Sequence, residues 1–188
     1  MTTSLINGIG IWGSGPGAGK STVAKIIKEI CPEFEIMPFS MPLKMMVRSL
    51  LILHGYNHNQ IRFHLYDSIG KEVPIDLIAG KPSGRKLMKT LGTEWGRGLI
   101  SPEIWINVWK EQCLTEKFIA DDVRFIEEVN AVRSLYGQIL AIVGHNELAC
   151  DGHKSEMLKL SDFQPDHIIH NNGSIEELKI KIKIALGI

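Results

Sequence analysis

Apolar and polar residues follow two rhythms along this 188-residue chain. Residues 5–12, 34–39, 117–120, 138–143 and 167–170 are short apolar runs of strand length, bounded by turn residues. Between them, apolar residues recur three and four apart, the spacing of one helix face. Such a face carries Val23, Ile26, Ile27 and Ile30 over residues 20–30, and Leu43, Met46, Val47 and Leu50 over 42–53. Residues 57–70 and 85–92 also read as helical, whereas 71–84, with Pro74, Gly80, Pro82 and Gly84, predicts a loop. Ser101-Pro102 is a helix start, because serine caps free N–H groups and proline suits the first turn. That helix is expected to turn Ile104, Trp105, Val108 and Trp109 inward, and 127–136 predicts another. Ser174 and Glu177 form a capping box for a last helix with Leu178, Ile182 and Leu186 on its core face.

Five strands separated by helices predict an α/β fold: a doubly wound, mainly parallel five-stranded sheet with helices on both faces. The expectation is a single domain over 1–188, with a lid or flap within 144–165, the longest stretch without periodicity.

The sharpest chemical signal lies where the first strand meets the first helix. Gly13-Ser14-Gly15-Pro16-Gly17-Ala18-Gly19-Lys20-Ser21 has the strand–turn–helix setting that a phosphate-binding loop requires. Glycines let backbone N–H groups converge on phosphate, and the helix N-terminus adds partial positive charge. Gly15, Gly17, Ala18, Gly19, Lys20, Ser21 and Thr22 are therefore candidates for ATP binding. Lys20 would pair with the β- and γ-phosphates and the Ser21 hydroxyl would ligate Mg²⁺. One position departs from the GxxxxGK[ST] pattern: Ser14 stands where the first glycine belongs. The competing reading is a glycine-rich turn with no ligand.

Composition narrows the setting. Hydrophobic residues make up 44% and charged residues 22%, enough apolar content for a real core, and the formal net charge is zero. That balance argues against a broad nucleic-acid surface. Three dispersed cysteines, Cys31, Cys113 and Cys150, form no CxxC pair and fit a reducing cytoplasm. Cys150 and His153 have zinc-ligand spacing, but no second pair completes a site. No apolar run approaches a membrane span, and the N-terminus has no basic leader region.

After the loop come Leu91-Gly92-Thr93-Glu94-Trp95-Gly96-Arg97, Asp121-Asp122-Val123-Arg124-Phe125, His153-Lys154-Ser155-Glu156 and Asn171-Asn172-Gly173-Ser174. In this order they resemble the phage-type deoxynucleoside monophosphate kinases, a P-loop group of NMP-kinase-like fold. The resemblance covers nearly the whole chain and is weakest across 57–82. It implies γ-phosphate transfer from ATP to a dNMP, giving dNDP, in the cytoplasm of a phage's host.

Independent of that, an aspartate at the carboxyl edge of a parallel sheet is placed to hold Mg²⁺, and Arg124 to neutralise transferring phosphate oxygens. The alternative is that Asp121 or Asp122 caps the helix beginning near Phe125. The resemblance favours Asp122 over Asp121, so the catalytic candidates are Lys20, Asp122 and Arg124, and the metal candidates Ser21 and Asp122. Arg85 and Arg97 suit a monophosphate through their planar fork, and Lys44 and Arg48, one helical turn apart, could share a phosphate. Glu94 is a candidate for the acceptor nucleotide or for fixing an arginine. The resemblance also places His153 and Glu156 near the nucleotides, against a purely local hydrogen bond. Two other readings stay open: a P-loop kinase for another acceptor, such as dephospho-coenzyme A, and a non-kinase ATP-binding switch. Trp and Ile side chains on the middle helices offer a surface for a homodimer.

Overall fold

A computed structural model describes residues 6–15, 17–144 and 158–188. The sheet is five-stranded and wholly parallel: β1 (Gly8–Gly13), β2 (Phe34–Ile36), β3 (Lys117–Val123), β4 (Gly137–Gly144) and β5 (His167–Asn171), in the order β2-β3-β1-β4-β5. The helices are α1 (Lys20–Ile30), α2 (Met41–Leu53), α3 (His58–Tyr66), α4 (Gly84–Lys89), α5 (Ile104–Cys113), α6 (Ile126–Ser134) and α7 (Ile175–Leu186). This is the doubly wound α/β architecture expected from the alternating pattern.

The chain divides into two compact units, Met1–Phe39 with Trp109–Ile188, and Ser40–Val108. The first contains the sheet. Ile9 and Ile11 of β1, Ile119 of β3, Leu140 and Ile142 of β4 and Ile169 of β5 point to one face. There they pack on Val23, Ala24, Ile26 and Ile27 of α1 and on Leu178 and Ile182 of α7. Helix α6 lies against β1 and β4. Burial on both faces explains why β1, β3 and β4 read as nearly continuous apolar runs.

The second unit is helical. Val47 and Leu51 of α2, Ile61 and Leu65 of α3 and Ile75 form its buried cluster. Residues 71–84 are mostly turns, as the prolines and glycines predict, apart from a 3₁₀ turn at Gly70–Glu72. Two expectations need correction here. The helix read over 85–92 ends as α-helix at Lys89 and continues as a π-helical segment over Thr90–Ile100. Along α5, Trp105 and Trp109 are buried as expected, but Val108 is 41% exposed and Ile106 is buried instead. Trp105 explains Gly96 of the π segment. Its indole N–H donates to the Gly92 carbonyl at 2.9 Å, and a Cβ on Gly96 would fall 2.4 Å from the same indole nitrogen.

Candidate active site

Parallel α/β sheets bind ligands outside the carboxyl ends of their strands, where the chain order reverses. Here β1 lies between β3 and β4, and the glycine-rich loop leaves its carboxyl end. Gly17 (φ +79°) and Gly19 (φ +101°) hold left-handed conformations, which is why glycine is needed at both. Ser14 lies outside that region, so its backbone does not demand the missing glycine. Its hydroxyl instead accepts from the Gly144 N–H at 3.2 Å, and its own N–H donates to Ile142 at 3.0 Å. The departure from the strict pattern thus exchanges conformational freedom for a tie to β4.

Helix α1 begins without a side-chain cap. Helices α3, α4 and α7, by contrast, are capped by Asn57, Ser83 and Ser174. Its first-turn N–H groups, which no intrahelical carbonyl can serve, add to the positive end of the helix dipole. Lys20, half-buried at the same turn, places its ammonium 3.5 Å from the Gly15 carbonyl. Thr22 follows in the same turn and is exposed.

The two aspartates sit at a break in sheet register. Gly10 pairs with Ala120 but Trp12 pairs with Val123, so two residues, Asp121 and Asp122, oppose one on β1. Such a bulge re-aims consecutive side chains that a regular strand would send to opposite faces. The Asp121 carboxylate accepts from the Ser21 hydroxyl at 3.0 Å. The Asp122 carboxylate accepts from the Phe39 N–H at 2.8 Å. The acid beside Ser21 is therefore Asp121, where the sequence reading paired Ser21 with Asp122. The available signal was position: Asp121 directly ends the apolar run Phe118-Ile119-Ala120.

Glu128, 3% exposed, caps the start of α6: its carboxylate accepts from the Arg124 N–H at 2.7 Å and the Phe125 N–H at 3.2 Å. It thereby fixes the backbone that carries Arg124, a role not read from the sequence.

The other candidates fall in Ser40–Val108 or outside the described residues. Lys44 and Arg48 share a face of α2, and the Lys44 ammonium lies 5.2 Å from the centre of the Tyr66 ring. Arg85 forms an ion pair with Glu72 on partly exposed side chains. Arg97 lies in the π segment. Glu94 and Trp95 line an apolar cavity of about 500 Å³ with Met46, Leu50, Leu91 and Leu99. Trp95 is 40% exposed and tilted against Trp105, at 6.1 Å between ring centres. His153, Glu156 and Cys150, with most of the expected lid, lie outside the described residues. Burial pushes the Cys113 thiol up to about 12. Cys31 is raised by burial and by Glu33, against a lowering effect of Lys117.

A family model for deoxynucleotide monophosphate kinase matches residues 32–182. The chain belongs to that family. The match begins after α1, so it is carried by the helical unit, the aspartate pair and the last strand and helix rather than by the glycine-rich loop. No curated protein matched the chain. As a family member this kinase is an enzyme of deoxynucleotide chemistry. Among its described residues no helix is long and apolar enough to cross a membrane.

Proposed function

We propose that this kinase transfers the γ-phosphate of ATP to a deoxynucleoside 5′-monophosphate, yielding ADP and a dNDP. The observation that carries the reading is the uncapped start of α1, with Gly19 in a left-handed turn, Lys20 beside it and Ser21 bonded to Asp121. This is a setting for a polyphosphate tail.

An oxygen of the acceptor phosphate attacks the γ-phosphorus while the bond from that phosphorus to the β–γ bridging oxygen breaks, and ADP departs with the electron pair. The transition state is loose, so positioning and charge neutralisation provide most of the acceleration. In this reading the amides of Gly15 and of residues 17–21, with the Lys20 ammonium, hold the donor phosphates. Arg124, on a backbone held by Glu128, meets the charge that develops on the transferring group. Asp122, bonded to the Phe39 amide, acts on the backbone leading into the helical unit. The acceptor is assigned to Lys44, Arg48, Arg85, Glu94 and Arg97, and His153 and Glu156 are assigned to the nucleotides on the resemblance alone.

Ser21 and Asp121 offer hard oxygen donors, which suit Mg²⁺ and not a soft metal. Among the described residues no group of three or more His, Cys, Asp or Glu gathers, so the other ligands would be water and phosphate oxygens, as Mg²⁺ prefers. Bound there, Mg²⁺ would neutralise phosphate charge. The resemblance to phage-type kinases supports an enzyme encoded by a phage and working in the host cytoplasm. Closure of a lid within 144–165 would exclude water as a competing acceptor. Zero net charge supports a nucleotide partner over a nucleic acid.

The test is ADP release with Mg·ATP and a panel of monophosphates, dGMP, dTMP and 5-hydroxymethyl-dCMP first, with dephospho-coenzyme A as a control. Stoichiometric ADP and dNDP support the reading. ATP hydrolysis that ignores every acceptor overturns it in favour of a switch.

A further inference from the structure

We propose that Asn171 is a positioning residue for the phosphate-binding loop, aiming the Gly19 N–H by pinning the carbonyl on the other side of the same peptide. Asn171 ends β5, and its side-chain amide donates to the Ala18 carbonyl at 2.9 Å. A trans peptide is planar, with its C=O and N–H pointing in opposite directions. Holding the Ala18 carbonyl toward β5 therefore turns the Gly19 N–H away from it. Gly19 is the last residue before α1, where a phosphate would lie on the donor reading above, on which this inference rests.

The fit leaves little freedom. A Cβ on Gly19 would fall 2.4 Å from the Asn171 amide nitrogen, so the asparagine occupies the space a side chain would need. Ser14 ties the start of the loop to the end of β4, and Asn171 ties its end to β5. The strand end does not depend on the Asn171 side chain. The Lys181 ammonium binds the His170 carbonyl at 2.7 Å and the Asn172 side chain at 3.2 Å, on either side of it. A variant at 171 should thus lose the aim of one amide and keep β5.

The experiment compares wild type, Asn171→Asp and Asn171→Ala, with Mg·ATP affinity by calorimetry, kcat, acceptor KM and unfolding without nucleotide. Asn171→Asp keeps the shape, removes the donor and sets a carboxylate against the carbonyl. Asn171→Ala should weaken Mg·ATP binding about tenfold, the size of one neutral hydrogen bond, and Asn171→Asp by more. kcat should fall, while acceptor KM and the unfolding midpoint stay near wild type. If wild type binds Mg·ATP and both variants bind it equally well, the inference is wrong. A binding loss that only follows unfolding in both variants overturns it too, since Asn171 would then be a strand cross-link. Failure of wild type itself to bind Mg·ATP overturns the donor reading beneath it.

Discussion

The sheet unit and the helical unit treat their apolar side chains in opposite ways. In Met1–Phe39 with Trp109–Ile188, the central strands are buried on both faces, and Ile11, Ile119, Leu140 and Ile142 are fully enclosed. Ser40–Val108 is the shorter unit, yet among the described residues it holds most of the exposed large apolar side chains, including Leu53 at 84%, Leu99 at 76% and Ile69 at 74%. Its cavity is lined mainly by leucines, with Met46 and Trp95 beside them. The difference matches two tasks in the proposed reaction. Donor phosphates are the same in every turnover and reward fixed amides on a dense, stiff frame. In the same proposal the acceptor base would meet thioether and leucine surfaces, which adapt their shape more readily.

The comparison breaks first at Lys20. Lys20→Ala should cut phosphoryl transfer about a thousandfold, the scale of a lost transition-state charge partner, with an unchanged unfolding midpoint. Near-normal turnover would remove the sheet unit from the chemistry. Asp121→Asn should come next, lowering turnover about a hundredfold and raising the magnesium needed for half-maximal rate. Asp122→Asn should leave that magnesium dependence alone, and the opposite ranking would restore Asp122 as the metal acid. In the helical unit, Arg97→Ala should raise acceptor KM about tenfold and spare the KM for ATP. Arg85→Ala should also raise acceptor KM, by a few-fold, because Arg85 must leave its pair with Glu72 to meet a phosphate. Two leucines on α2 test the burial contrast itself. Leu51→Ala should cost about 2–5 kcal/mol of stability and Leu53→Ala under about 0.5 kcal/mol, read from denaturant midpoints. The last test concerns pH. The Cys113 thiol, raised from 9.0 to about 12, keeps its proton in the fold while the unfolded chain loses one. Its share of stability is complete below pH 9 and is lost between there and about 12. Cys113→Ser should flatten that part of the alkaline unfolding curve.

Much of this was legible in the chain because the signals are local. Strand β1, the glycine loop and α1 follow one another in sequence, and Lys20–Ile30 matches its predicted bounds. The capping box of Ser174 and Glu177 forms as expected, since its partners are three residues apart. Other features had no local signature. Choosing between Asp121 and Asp122 depends on a register slip between β3 and β1, which lie far apart in the chain. Val108 and Ile106 exchanged places because helical periodicity gives a spacing but not the angle at which a helix meets its neighbours.

Sequence alone was enough for the fold class and the kinase family, because both are written in short-range order: apolar period and motif sequence. Tertiary structure alone decided that Asp121 meets Ser21, that Glu128 caps the helix after Arg124, that Ser14 answers to Gly144 and that Asn171 reaches Ala18. The physical reason is range. Three of those four contacts join residues a hundred or more positions apart, set side by side only when parallel strands align. The fourth rests on a buried carboxylate whose partners are backbone amides, to which residue identity gives no clue.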